Sequence, residues 1–469
     1  MYRIIESFGV CGRRAVSEEE LLGDCKVVPR ELKRSLERLK EFLAPFTALL
    51  VRREQREHGG SFIRGLLSDL ERKSVEPIAV EFEGDRQDLQ HFIGVSNWDH
   101  RPMLDELVRQ VAAELGSADG VLVLDPSAFP KKGDHSVGVA RQWCGRLGKV
   151  ENCQLGVFLG YASNKGHTVV DERLYLPDGW AKDKARRQAC HVPLSVRFRT
   201  AQELGLEMLE SRRSELPHAW VTGDDEFGRS SKFRKALVKM GERYLLEIPS
   251  NISVRDMEAL PPVATGESGR PRKTPFQQVG QWKATVPQER WSRIHVRDGT
   301  KGPVAVSATR VRVCAKKMGT KLEWLLIIRT EDPTPEYRYY LGDAGTGVSL
   351  EEMVYAVHAR FWIEDCFARG KGETGLDHYE VRAWQGWHHH ITLSLMTLWF
   401  LTQERRRLAE KTPAMTVPQA AYAMAEMLRD PDTDLDQLAL TITQKLQRSE
   451  QSRIGHWRKH DRLPSRWNL

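Results

Sequence analysis

Val121-Leu122-Val123-Leu124-Asp125-Pro126 is an unbroken apolar run closed by a carboxylate and a proline. Consecutive branched side chains suit a strand covered on both faces, the kind found at the centre of a sheet. Two more strand-like segments follow, Leu155 to Ala162 and His167 to Leu176. Ser163-Asn164-Lys165-Gly166 between them has the composition of a hairpin turn. A helical stretch then covers about 198–213. Next come a short strand (Ala219-Trp220-Val221-Thr222-Gly223), a helix from about Ser230 to Met240, and a strand from Tyr244 to Ile248.

Three strands in hairpin order, then helix, strand, helix and strand, is the order of an RNase H-like mixed sheet. The expected class is therefore α/β, an RNase H-like sheet flanked by helices. Residues 250–345 interrupt it with a loop rich in Pro, Gly and basic residues (Pro261-Pro262, then Gly266 to Pro275). Strand-like runs follow, Val304 to Val313, Leu322 to Ile328 and Tyr337 to Leu341, so a β-rich insertion is expected. Arg310 and Arg312 alternate with Val311 and Val313 and would share one face of a strand. Helical periodicity returns at about 349–369 and in the apolar Ile391 to Arg406. Before the core, Leu32, Leu36, Leu39 and Leu43 recur at helical spacing until Pro45, which should end or kink the helix. A second helix, holding Phe62, Ile63, Leu66, Leu67 and Leu70, is approached through Gly59-Gly60. The resulting division is a helical N-terminal domain (1–100), the first part of the core (101–249), the insertion (250–345), the second part of the core (346–410) and a helical, basic C-terminal region (411–469). The first of these could bind DNA ends or serve only as scaffold.

The 469 residues allow two or three domains. Hydrophobic residues at 40% and charged residues at 29% fit a water-soluble globular protein. The net charge of +7 is unevenly placed. Residues 250–345 carry 16 Lys and Arg against 10 Asp and Glu, and residues 445–469 carry seven against two, so the remainder is net acidic. That distribution suits a polyanion partner, although a solvated basic surface would look similar. Seven scattered cysteines (11, 25, 144, 153, 190, 314, 366) without a C-x-x-C pair argue against a disulfide framework or a structural zinc. They read as reduced thiols in a cytosol. The run from Ile391 to Leu401 is too short to span a bilayer, which needs roughly 20 residues, and reads as a buried helix. No signal sequence is expected.

Three carboxylates stand out. Asp125 ends the first core strand, Asp224 ends the strand through Gly223, and Glu364 sits on the late helix that would pack against that edge. Any one Asp at a strand end could be a cap or turn residue; the combination is what points to chemistry. Hard oxygen ligands suit Mg²⁺ or Mn²⁺. Two such ions about 3.5–4 Å apart can serve an in-line phosphoryl displacement. Arg360, Glu364 and Lys371 are spaced R-x3-E-x6-K and fall within roughly 40° on one helix face. A carboxylate flanked by two cations suits a phosphodiester backbone, whereas the plainer reading is an i,i+4 ion pair on a solvated helix. Gly370 and Gly372 weigh against a helix that still holds Lys371. Asp225 is the alternative to Asp224, and Asp365 lies about 100° off the Arg360–Lys371 face.

On these blocks, VLDPSAFPKKG (123–133), VTGDDEFG (221–228) and RFWIEDCFARGKGETGLDHYEVRAWQGWHHH (360–390), the chain resembles the bacterial insertion-sequence DDE transposases whose third motif is Tyr-Arg-Glu-Lys, spaced Y-x2-R-x3-E-x6-K. The resemblance runs from about 90 to 405. It implies Asp125, Asp224 and Glu364 as the metal triad for two Mg²⁺ or Mn²⁺ ions, with Arg360 and Lys371 on DNA phosphates. It also implies cut-and-paste chemistry on double-stranded DNA: nicking at the element's terminal repeats, attack of the freed 3′-hydroxyl on the opposite strand, and joining to target DNA. A homodimer synapsing two ends in the bacterial cytosol, at the nucleoid, is a further implication. One position departs from the pattern: Val357 stands where the tyrosine is expected, and Tyr355 is two residues off register.

Other candidates are less specific. Lys131 and Lys132 could reach phosphate or lie in a solvated turn. Trp282, Trp291 and Trp324 lie in the basic insertion, and Trp291 is the candidate for stacking a base, against ordinary core packing. His388-His389-His390 would point in different directions on a helix with no carboxylate at ligand spacing, so packing at the start of a helix or a phosphate contact is expected. The rival functions are an inactive, domesticated DNA-binding protein and a site-specific nuclease of the same fold without strand transfer.

Overall fold

The structure, a computed structural model, describes residues 16–82, 84–261, 273–332, 334–460 and 462–466. Cys11, Pro262 and most of the Gly266 to Pro275 loop lie outside the described residues. Six helices come first: α1 (Glu18–Gly23), α2 (Pro29–Ala48), α3 (Arg53–Leu67), α4 (Val75–Glu81), α5 (Arg86–Gly94) and α6 (Arg101–Leu115). The core opens with strands β1 (Val121–Pro130), β2 (Ala140–Cys144), β3 (Lys149–Ser163) and β4 (Gly166–Leu174), then helices α7 (Asp178–Lys182), α8 (Lys184–Ala189) and α9 (Ala201–Arg212). It continues through β5 (Trp220–Gly223), α10 (Asp225–Gly228), α11 (Ser231–Met240) and β6 (Tyr244–Ile248). The insertion contributes β7 (Ser253–Asp256), β8 (Gln277–Gln278), α12 (Val279–Trp282), β9 (Ser292–Gly299), β10 (Gly302–Ala315), β11 (Leu322–Thr330) and β12 (Tyr337–Asp343). Four helices finish the chain: α13 (Leu350–Glu373), α14 (Trp384–Ala409), α15 (Val417–Arg429) and α16 (Leu435–Arg458).

Among the described residues twelve strands join one mixed sheet in the order β2-β3-β1-β5-β6-β12-β11-β10-β7-β8, with β4 on β3 and β9 on β10. β1 and β5 are parallel neighbours, as are β5 and β6, while β3 is antiparallel to β1. This is the expected RNase H-like arrangement of a mixed sheet flanked by helices. Among the described residues the insertion strands build no second sheet: β12 lies antiparallel to β6, so the β-rich segment extends the core sheet sideways.

Alternation along β1 divides the two faces. Leu124 turns towards α9, where a Cβ on Gly205 would meet its side chain at 3.1 Å. Asp125, one residue on, turns the opposite way, towards α13. α13 approaches that face closely because β3 has a glycine beneath it: a Cβ on Gly160 would meet Ile363 at 2.4 Å. One turn further along, Phe367 packs edge-on against Phe158, with ring centroids 5.1 Å apart. Ile363 and Phe367 thereby fix the rotation of α13, and Arg360, Glu364 and Lys371 follow on the same side. Behind α13, α14 is buried almost throughout and contacts α2, α3, α5, α6 and β4, so terminal helices and sheet share one apolar cluster. A smaller cluster, including Val254, Trp282, Val311 and Leu325, lies under the insertion.

The structure corrects several local expectations. α2 runs through Pro45 to Ala48. In the last turn the missing N–H costs one bond rather than a helix. α3 likewise runs through Gly59-Gly60 rather than starting after them, and both glycines are buried, with a Cβ on Gly59 meeting Leu50 at 3.2 Å. α13 continues past Gly370 and Gly372 to Glu373, so Lys371 is helical. Sequence reading missed β2, β7, β8 and β9, which are short or irregular in their alternation. The run from Ile391 to Leu401 is buried inside α14, and no described helix is long and apolar enough to cross a membrane.

The Gly160–Ile363 contact gives a test of how α13 is seated. Gly160→Ala should destabilise by about 1–3 kcal/mol through overpacking, and Ile363→Ala by about 2–5 kcal/mol through cavity formation. The double substitution should cost clearly less than the sum, measured by urea unfolding. Additive losses would show that α13 does not rest on Gly160.

Candidate active site

The register of the parallel pair brings the first two carboxylates together. The β1–β5 pairing ends with Leu124 opposite Gly223; Asp125 is the next residue of β1, which runs on to Pro130 rather than ending there, and Asp224 is the residue just past the end of β5. Neighbouring strands lie about 4.8 Å apart, so the two carboxyls leave the same edge side by side. Asp224 also caps α10, accepting from the Glu226 backbone N–H at 3.1 Å, which fixes its carboxyl at the strand end.

α13 supplies the rest. The Arg360 Nε donates to Asp125 Oδ1 at 3.1 Å, its Nη2 lies 3.4 Å from Glu364 Oε1, and its Nη1 bonds Glu247 Oε2. Asp125 is buried, whereas the Glu364 side chain is 48% exposed and so faces the approach to the site. Lys371 Nζ donates to Ser127 Oγ at 3.0 Å, two residues beyond Asp125. Asp125, Asp224, Arg360, Glu364 and Lys371 are thus gathered at one sheet edge. The neighbouring acids are engaged elsewhere: Asp225 pairs with Arg229, and Asp365 with Arg369 at 3.3 Å. Tyr355 donates to the His295 carbonyl at 3.1 Å, tying α13 to β9, and Val357 is buried.

Glu247 is a site residue that sequence reading missed. It is the sole charged residue in the strand Tyr244-Leu245-Leu246-Glu247-Ile248, and β6 is the parallel neighbour of β5. A lone acid at the end of a third parallel strand was the available signal.

Crowding of negative charge shows in the acidities. Burial pushes the Asp125 carboxyl up to about 6, Arg360 opposing the rise and Glu364 adding to it. Burial, with the charge of Asp125 added, pushes Asp224 up to about 8. Arg360 is held above its ordinary value: burial works against its charge, but Asp125, Glu247, Asp224 and Glu364 outweigh it. Lys371 is lowered by burial. The donor set is all hard oxygen, and its unrelieved repulsion is what a divalent cation would remove, so these residues fit Mg²⁺ or Mn²⁺. As a set their oxygens do not fall within 4.8 Å of one another. Ligands shared between two ions about 3.5–4 Å apart need not do so.

The other sequence candidates lie elsewhere or are already occupied. Lys131 sits over the Tyr379 ring, 3.4 Å from its centroid, and donates to the Tyr379 carbonyl at 3.1 Å. Burial pushes its ammonium down to about 8. Lys132 is exposed. Arg310 and Arg312 share a strand face as expected, each 4.6 Å from the centroid of Trp324, and Arg310 also bonds the Val348 carbonyl before α13. Trp282 is buried and bonded to Asp256 at 3.0 Å. Trp291 is half-buried, edge-on to Tyr337, with Arg329 4.5 Å from its centroid. His389 bonds the Ile93 and Trp98 carbonyls and His390 that of Gly375, which is packing of the helix start. His388 departs from the expectation: its Nδ1 lies 2.7 Å from Glu172 Oε1, a carboxylate 216 residues away that no local spacing reveals.

The raised pKa of Asp224 sets a sign for stability. Asp224 titrates near 4 when unfolded and near 8 when folded. Between those values the folded chain holds the proton that the unfolded chain has released, so metal-free stability falls as pH rises. Asp224→Asn imitates the protonated form. In EDTA it should raise the melting temperature by a few °C at pH 8 and by much less at pH 4.5. An equal effect at both values would mean that Asp224 is not buried beside Asp125.

Comparison with known proteins gives the family of the chain. The family described as DDE superfamily endonuclease matches residues 41–303, a stretch that includes Asp125 and Asp224 and ends before Glu364. A protein of Microchaete diplosiphon named probable transposase for insertion sequence element IS701 is 30% identical over 198 residues. That alignment covers 40% of this chain and 47% of the relative, so the match spans about half of the curated relative's length. With more than half of its residues matched by the family, the chain belongs to the DDE superfamily endonucleases.

Proposed function

We propose that the chain is a cut-and-paste DNA transposase of the insertion-sequence type. The observation that carries this reading is the placement of Asp125 and Asp224 on parallel neighbouring strands with the Arg360–Glu364 face of α13 across them. In this reading Asp125, Asp224 and Glu364 would hold two Mg²⁺ or Mn²⁺ ions. When bound, such ions activate the attacking oxygen and stabilise the leaving one in an in-line displacement at phosphorus.

The chain's own part is then positioning and charge. Arg360 would contact a DNA phosphate. Lys371 holds a second phosphate from beside Ser127. Glu364, the most exposed of the three acids, closes the site as DNA approaches. The substrate in this reading is double-stranded DNA at the element's terminal repeats, then target DNA, with two chains pairing two ends. The spacing of Arg360, Glu364 and Lys371 supports placement in the Tyr-Arg-Glu-Lys group, with Val357 at the tyrosine position. The five-part division at about 100, 249, 345 and 410 is proposed on the same grounds. In it the helical N-terminal part contacts DNA ends, and the insertion, with Arg310, Arg312 and Trp291, borders the path of the DNA. Lys132, exposed after β1, extends that path.

The test is cleavage of a plasmid carrying the DNA that flanks the gene, with Mg²⁺ or with EDTA. Wild type should cut only with Mg²⁺. Asp125→Ala, Asp224→Ala and Glu364→Gln should each lose at least about 100-fold in rate while keeping DNA binding. Retained cutting by any of them removes that residue from the triad, and tight binding by a wild type that does not cut would replace the enzyme with a DNA-binding protein. A joining assay on the same reaction separates strand transfer from cleavage alone.

A further inference from the structure

A second carboxylate is buried away from the sheet edge just described, and it has no cation of its own. Glu172 is on β4, two strands from Asp125 in register: Asp125 pairs with Phe158, and Phe158 with Glu172. It is fully buried. Its sequence neighbour Arg173 bonds Asp171 and the Glu172 backbone carbonyl rather than the Glu172 carboxyl. The groups against that carboxyl are two imidazoles. His388 Nδ1, from the start of α14, lies 2.7 Å from Oε1, and His100 Nε2, just before α6, lies 3.7 Å from the same oxygen. The two rings stack with centroids 4.6 Å apart.

Two atoms of this cluster have no hydrogen-bonding partner among the described residues, the Glu172 Oε2 and the His388 Nε2, and both are fully buried. Leaving such atoms bare is costly in a folded interior. Each of the three residues can offer one ligand atom, and those atoms lie within 4.8 Å of one another. His100 and His388 line a cleft of about 600 Å³, together with Arg101, Arg173 and Trp384, so the cluster can be reached from solvent.

We infer that His100, Glu172 and His388 form a second metal site, distinct from the Asp125–Asp224–Glu364 edge, that takes Zn²⁺ in preference to Mg²⁺. Two imidazoles and one carboxylate are a borderline-soft donor set that suits zinc, whereas Mg²⁺ favours all-oxygen coordination. Three protein ligands leave a fourth position for water from the cleft. The ion would join three segments far apart in sequence: the lead into α6, strand β4 and the start of α14. It thereby locks the N-terminal helices to the sheet.

The inference is tested on the full-length protein, stripped with a chelator, exposed to ZnCl₂ with excess MgCl₂, desalted and analysed for metal. Wild type should retain close to one Zn²⁺ per chain and show a higher melting temperature when loaded. Glu172→Gln and His388→Gln should lose the ion, and an Asp125→Asn, Asp224→Asn double variant should keep it. Should the buried substitutions fail to fold, His100→Phe, at the rim of the cleft, keeps the ring stack and should still abolish retention. Loading with Co²⁺ should give the visible absorption of a tetrahedral site in wild type, and not in His100→Phe. Failure of folded wild type to retain zinc, or equal retention by wild type and His100→Phe, would overturn the assignment.

Discussion

One guanidinium holds the centre of this molecule in place. Arg360 bonds Asp125 and Glu247 and lies within ion-pair distance of Glu364, so residues from β1, β6 and α13 meet on a single side chain. Burial pushes the carboxyls of Asp125 and Asp224 up, and the neighbouring acids add to the rise. Burying such acids without a counter-charge would be strongly unfavourable. The planar fork of an arginine can serve several carboxylates at once, which a lysine point charge cannot do with the same geometry. The seating of α13 on Gly160 and Phe158 therefore does more than bury apolar surface. It delivers the cation without which the acidic edge could not close.

The sheet makes that delivery accurate. Asp125 and Asp224 belong to segments separated by three helices and three strands in sequence, yet the parallel pairing of β1 with β5 fixes their relative height. The insertion adds to this frame, because β12 continues the ladder from β6 and leaves no exposed edge there. Arg310 and Arg312 are held over Trp324, and Arg310 reaches the lead into α13, so the insertion also braces the helix that carries Arg360 and Glu364.

The central parts of the fold were legible because they leave strong local signals. The run Val121 to Leu124 reads as a buried strand, and a short strand ending at Gly223-Asp224 reads the same way. The spacing of Arg360, Glu364 and Lys371 puts them on one helix face, and the structure places all three on α13. What the sequence concealed depends on contacts distant along the chain. Gly59-Gly60 and Gly370 look like breaks, but packing overrides their weak helix propensity. Lys131 looks like a free cation after a strand, and only the fold reveals Tyr379 beneath it. Glu247 carries no motif at all; its importance follows from the order of the strands.

The same reasoning separates the two buried acidic places in the protein. At the sheet edge the acids outnumber the cation, but Arg360 lies among them and the ligands are all oxygen. At Glu172 a single acid faces two imidazoles, and burial pushes its carboxyl up to about 7, with His100 and Arg173 opposing the rise. An arginine stands next to it in sequence, yet alternation along β4 sends Arg173 to Asp171 and Glu207 instead. Hydrophobic packing does not require Glu172 at that position; an apolar residue would bury there at far less cost. A carboxylate set against two stacked imidazoles, beside a cleft, is arranged for a positive charge that the polypeptide itself does not supply.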